Sequence, residues 1–231
     1  MIVTIHQPVF LPWLGFFCKM VRSNILVLLD TVQFSKNGYQ NRVEIKTHQG
    51  KQWLTVPVLK GTQAIEKTII NSNTSWRKKH LKSIIQNYSR CEYFDDFFPI
   101  LEIIYNSKEW ERLSSFNICI LNAICEYLEI KTHMIKASSI PDLQGGSTEL
   151  LVNILKWISA TTYISGNSGR NYLEEDKFKE NNIELMYLLF ANNKYNQLHG
   201  DFIPGLSIID FIFNCGKEGF KKWEEEITCE S

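Results

Sequence analysis

Five short stretches hold the residue types whose chemistry and spacing suggest a site. The first runs His6-Gln7-Pro8-Val-Phe-Leu-Pro12-Trp13-Leu-Gly15-Phe-Phe-Cys-Lys19, where His6, Gln7 and Lys19 can meet a phosphate or a sugar. In the same stretch Trp13 and its neighbouring aromatics either line a ligand or simply pack a helix on a sheet. The second, Asp30-Thr-Val-Gln33, offers a carboxylate and an amide that can serve a site or cap a neighbouring helix. The third, Asn41-Arg42 with Lys46, can supply the planar fork and the point charge that hold a phosphate or carboxylate, or can be exposed hairpin charge. The fourth, Ser165-Gly166-Asn-Ser-Gly169 followed by Tyr172, is a glycine-bearing loop able to turn backbone N–H groups toward an anion; a plain strand-to-helix turn uses the same residues. The fifth spans Tyr195, Gln197, Ser207 and Asp210, in an apolar stretch where a carboxylate is costly to bury unless it is paired or functional. Asp210 there is a candidate base or the cap of a closing helix.

The elements that must position these residues read as an alternating α/β chain. Ile2 to Ile5 is a β-branched strand stopped by His6-Gln7-Pro8, Leu14 to Arg22 can form a helix, and Ile25 to Leu29 is a continuous apolar strand ending at Asp30. Arg42 to Thr47 and Gln52 to Val58 flank a turn at Gly50 and predict an antiparallel hairpin, with Ile65 to Ile70 as a further strand. From Thr74 to about Leu128 the apolar spacing turns helical and predicts three helices, the first capped around Asn73 to Ser75. Strands are expected at Lys131 to Lys136, Thr162 to Ser165 and Glu184 to Phe190, with a helix from Glu149 to Ile158. Two closing helices, Ser207 to Cys215 and Lys217 to Ile227, are interrupted by Gly216 and Gly219. The expected architecture is therefore α/β: a mostly parallel sheet with crossover helices, an inserted β-hairpin and a helical subdomain at about 74–128, all within one domain over 1–231. In such a sheet the carboxyl edge is where ligands bind, which is where the first, second and fourth stretches are delivered.

Composition narrows the partners. Hydrophobic residues at 44% and charged residues at 22% suit a chain that buries a core. Lys plus Arg equals Asp plus Glu at 25 each, so no long-range field favours nucleic acid or an anionic membrane, and neither is expected as primary ligand. Cysteines 18, 91, 119, 125, 215 and 229 lack metal-site spacing and read as reduced thiols, so no metal site is expected. The opening MIVTIHQPVFLPW has no basic region and carries two prolines, which argues against a signal peptide and for a cytoplasmic protein. His48, His133 and His199 read as surface or satisfied core residues, and His80, beside Arg77, Lys78 and Lys79, as part of a basic helix face that is either solvated or meets a nucleotide phosphate, the solvated reading being favoured.

The order QPxxLPWxGFFxK, LDxVQF, NRxxIKTxxGxxWLTVPV, then Trp76, then TYISGNSGRNYL and YNQ followed by FIPGLSIID resembles the WbqC-like family over residues 1 to about 216. The resemblance implies cytoplasmic work on bacterial surface polysaccharide such as O-antigen. The leading expectation is a transferase that acylates or aminoacylates the amino group of a nucleotide-linked sugar. Its partners would be a small-molecule nucleotide sugar and an acyl or aminoacyl donor. Arg42, Lys46 and the glycine loop would hold a diphosphate, the aromatics would stack on base or sugar, and His6, Asp30 or Asp210 would take the amine proton. No cofactor is specified. One alternative is a nucleotidyl or adenylyl transferase, since the strand, proline loop, helix and strand resemble the opening of HIGH-type nucleotidyltransferases, though no HxGH stands in the loop. Another is a non-catalytic sugar-nucleotide or partner-binding protein. The sequence lacks a Walker GxxxxGK[ST], a GxGxxG after the first strand, HExxH and GxSxG, which weighs against the familiar reactions tied to those motifs.

Overall fold

The computed structural model describes residues 1–61, 63–190 and 194–225; Cys229 and the end of the last expected helix lie outside them. Strands β1 (Ile2–His6), β2 (Ile25–Leu28), β5 (His133–Lys136), β6 (Thr162–Gly166) and β7 (Glu184–Leu188) form one sheet in the order β5-β2-β1-β6-β7, parallel at every pairing. Strands β3 (Arg42–Thr47) and β4 (Gly50–Thr55) make the separate antiparallel hairpin, with Gly50 at φ 103° in its turn. The α/β expectation thus holds.

The sheet is buried on both faces, as parallel sheets are. Along β1 and β2, Val3, Ile5 and Val27 join the core beneath α5 (Ser147–Ile158) and α6 (Glu175–Glu180), together with Leu151, Leu155 and Phe178. Leu26 and Leu28 point to the other face, where α1 (Leu14–Val21) and α7 (Ile208–Glu225) pack with the three helices α2 (Trp76–Tyr88), α3 (Phe94–Asn106) and α4 (Leu113–Tyr127). Thr4 is fully buried among them and satisfies its hydroxyl by donating to Ile164 O at 2.8 Å.

Two expectations change. Ile65 to Ile70 is a 3₁₀ turn, Ile65–Lys67, followed by single bridges from Ile69 to Arg112 and from Ile70 to Val58. Its buried positions are 65, 68 and 70, which is not the period of two that a strand presents, and Ile65 and Glu66 spend their N–H groups on Val32 O and Asp30 O. The two closing helices, which together make up α7, do meet at Gly216, whose φ 61°, ψ −171° are not helical, but Gly219 stays helical and makes no second interruption.

Strand order creates one special place. The chain steps from β1 to β2 on one side and later enters β6 on the other side of β1. Connections leaving β1 and β6 therefore diverge, and a crevice opens between their carboxyl ends.

Candidate functional site

A cleft of about 630 Å³ occupies that crevice. The end of β1 contributes His6 and Gln7; the end of β6 contributes Ser165 and Gly166, followed by Asn167 and Ser168; residues 188–190 close it from β7. Helix α1 adds Trp13 at its N-cap, Gly15 in its first turn and Lys19 in its last. A Cβ on Gly15 would stand 2.7 Å from Trp13 Nε1, so the glycine lets the indole lie against the helix start. Gly169 plays the same part for the opposite wall, because a Cβ there would fall 2.2 Å from Ser165 Oγ.

Lys19 is the unusual member. Every residue of α1 from Leu14 to Met20 is buried, so a lysine on this helix has no route to bulk water except through the cleft. It is 7% exposed, its amine has no acceptor among the described residues, and burial lowers its pKa from 10.5 to about 8. His6 faces the same charge. Burial first, and the Lys19 ammonium second, push its pKa down to about 3, against a small opposing pull from its bond to Gln7 O. That bond, Nδ1 to the carbonyl at 2.9 Å, requires the proton on Nδ1 and leaves Nε2 as the basic atom of a neutral imidazole. The cleft therefore pairs an uncompensated cation with a neutral acceptor, an arrangement suited to an anionic ligand.

The chain matches the WbqC-like protein family over residues 7–222. It is also 38% identical over 220 residues to the uncharacterized protein Rv1507c of Mycobacterium tuberculosis (strain ATCC 25618 / H37Rv), covering 94% of both chains. This chain belongs to the WbqC-like protein family. No solved structure matches it.

Of the expected site residues of this WbqC-like chain, the structure brings His6, Gln7, Trp13, Lys19, Ser165, Gly166 and Tyr172 together at the cleft, with Gly169 directly behind Ser165. Asp30 is not among them. Its carboxylate accepts from Ser138 N–H at 2.9 Å and Ser138 Oγ at 2.8 Å, capping the 3₁₀ turn that follows β5. Gln33 is exposed and bridges Ala64. Asn41 donates to Val56 O at 2.9 Å, and the Arg42 guanidinium lies over the Trp53 ring at 4.2 Å.

The carboxylate of Asp210 stands in a separate buried knot. Tyr88 and Tyr195 donate to it at 2.9 and 2.7 Å, and burial still holds its pKa above the ordinary value against those bonds and the Lys46 charge. Lys46 is committed there as well, donating to Gln197 Oε1 at 3.1 Å and to the carbonyls of Gly200 and Asp201. Gln197 closes the loop onto Ile203. Ser207 donates to Leu11 O at 3.1 Å and caps α7 by accepting from Ile209 N–H. These residues clamp the 195–207 loop and the β1–α1 loop, whose Leu11 is held at φ 44°. His80 is buried rather than on a solvated face, with Nδ1 by Tyr105 Oη and Nε2 by Thr55 O, and burial lowers its pKa to about 4.

Sequence reasoning did not single out Asn167, Ser168 or Phe190, nor the roles of Tyr39 and Trp53 beside Trp13. The local signal for the first three was their position directly after a strand. Among the described residues no cluster of His, Cys, Asp or Glu has the grouping of a metal site, and Cys91, Cys119, Cys125 and Cys215 form no disulfide. No helix of the described residues is long and apolar enough to cross a membrane.

Proposed function

We propose that this WbqC-like chain is a cytoplasmic transferase of surface-polysaccharide biosynthesis that binds a nucleotide-linked amino sugar in the cleft and moves an acyl or aminoacyl group onto its amine. The observation that carries the reading is Lys19: a nearly buried ammonium without a protein partner, at the edge of a parallel sheet where α/β proteins take ligands, calls for an anion from outside. A phosphate supplies that charge, with the start of α1 and the loop 165–169 offering backbone N–H groups. Trp13 and the half-exposed Tyr172 give flat apolar walls for the sugar.

In the reaction the sugar amine attacks the carbonyl carbon of the donor, the new C–N bond forms, and the bond to the donor's leaving group breaks. His6 Nε2 accepts the proton lost by the amine, and a bound phosphate that neutralises Lys19 removes one of the two causes that make this imidazole a poor base. The proposal gives Asp30 and Asp210 no role, since neither lines the cleft and each holds donors of the protein itself.

The test is a thermal-shift titration with nucleotide sugars followed by turnover with acyl and aminoacyl donors. A ligand present at a hundred times its Kd should stabilise the native chain by about 2.7 kcal/mol. Stabilisation together with product formation supports the proposal. Stabilisation with no turnover on any donor leaves a binding protein, and no stabilisation by any nucleotide sugar overturns the reading.

A further inference from the structure

Outside the cleft mouth the chain exposes aromatic surface that packing does not account for. Trp13, a wall of the cleft, is followed outward by Tyr39 at a centroid distance of 5.9 Å and then by Trp53 at 6.2 Å. Tyr39 is 51% exposed and Trp53 41%, on a protein whose other large aromatics are mostly core. Arg42 lies over the Trp53 ring at 4.2 Å and forms no ion pair among the described residues, because its strand neighbour Glu44 is engaged by Lys51 at 2.8 Å.

The residues that follow Tyr39 carry polar atoms without partners. Gln40 Oε1, Asn41 Oδ1 and Arg42 Nε, on three consecutive residues, are each buried and make no hydrogen bond among the described residues. Gln40 is 3% exposed and Asn41 8%, so bulk water does not satisfy them. The segment is nevertheless held firmly. Phe10 N–H donates to Tyr39 O at 3.0 Å, Asn41 donates to Val56 O, and Gln40 Nε2 donates at 2.7 Å to Oε1 of Gln7, itself a cleft residue. Platform and cleft are thus one preorganised surface joined through Gln7 and Trp13.

We infer that Tyr39, Trp53 and Arg42 form a second subsite that takes the nucleobase of a nucleotide sugar while Lys19 holds its phosphate and the cleft its sugar. This rests on the reading of the cleft given above. A planar base finds a stacking face on Tyr39, which an aliphatic chain would not need, and the Arg42 guanidinium over Trp53 offers donors to its edge. The flow of charge also fits, since a diphosphate bridging the two subsites would lie between two cations that the protein leaves uncompensated.

The experiment compares affinities of a nucleoside diphosphate sugar and of the corresponding sugar phosphate for the full chain, by calorimetry. The nucleotide sugar should bind wild type about tenfold or more tightly than the sugar phosphate, because stacking one base is worth about 1–3 kcal/mol. Y39A with W53A should erase that advantage and leave sugar-phosphate binding unchanged, whereas K19M should weaken both ligands. Y39S alone, at a half-exposed position, gives the same comparison if the double variant does not fold. Equal affinity of wild type for the two ligands, or nucleotide-sugar binding that the aromatic variants leave intact while K19M lowers it, would overturn the second subsite and keep the cleft. If wild type binds neither ligand, both readings fall.

Discussion

Replacing Lys19 with methionine should make the unliganded protein more stable, which is the opposite of what removing a structural contact does. Met has nearly the length of Lys and no charge to desolvate, so it suits a helix that is buried all round. In the folded chain the lysine pKa falls from 10.5 to about 8, a difference equivalent to about 3 kcal/mol against the charged form. Below pH 8 both folded and unfolded chains hold the proton and the whole penalty is present. Between pH 8 and 10.5 the folded chain releases its proton while the unfolded chain keeps it, so the wild-type handicap shrinks as pH rises, and above 10.5 it is gone. Other groups that titrate there, such as the buried tyrosines, are common to both proteins and cancel in the difference. His6 does not cancel at acid pH, because losing the neighbouring ammonium raises its pKa, so the comparison belongs at pH 7 and above. Urea unfolding of wild type and K19M at pH 7, 9 and 10.5 measures the effect directly. The variant should lead by about 3 kcal/mol at pH 7, or roughly 6–12 °C in Tm for a chain of this size, and by little at pH 10.5. Inorganic phosphate should narrow the gap at pH 7 by stabilising wild type alone. A variant less stable than wild type at pH 7, or a gap that does not change with pH, would refute the picture of an uncompensated buried cation.

Asp30→Ala should lower stability by about 2 kcal/mol through loss of two charge-assisted bonds from Ser138, with ligand affinity within twofold of wild type by calorimetry. Tyr88→Phe leaves Asp210 short of one donor and the Lys46 N–H without its acceptor, so a loss of about 1–3 kcal/mol is expected in urea. With Tyr195→Phe the double variant should deviate from additivity, since both phenols serve one carboxylate. Gly169→Ala should cost about 1–3 kcal/mol and weaken cleft binding by displacing Ser165 Oγ, and adding Ser165→Ala should recover part of the stability. His6 and His80 stay neutral in the fold with pKa values near 3 and 4, so below about pH 6.5 the unfolded chain binds protons first. Stability should therefore fall steadily from pH 6.5 toward 4, and His6→Asn with His80→Asn should flatten that limb.

The fold was legible because its signals are local. The apolar run of strand length at 25–28, the glycine turn at Gly50 and the helical stripes of 76–127 each report their own backbone state, and the alternation of strands and helices implies a parallel sheet. The same local view placed His6, Lys19 and Ser165 after or beside strands and so near the ligand-binding edge. Only the tertiary structure decided which of these residues meet, because His6 and Ser165 are brought together by the β1–β6 pairing, across some 160 positions of sequence. It also decided which polar residues remain free. Asp30, Lys46 and Asp210 carry the residue types of a site, yet each is consumed by donors or acceptors that arrive from distant segments, and no periodicity records that. Lys19 has the converse history: its helix closes off every exit but one, and the absence of a partner for its charge exists only once the walls of the cleft are assembled around it.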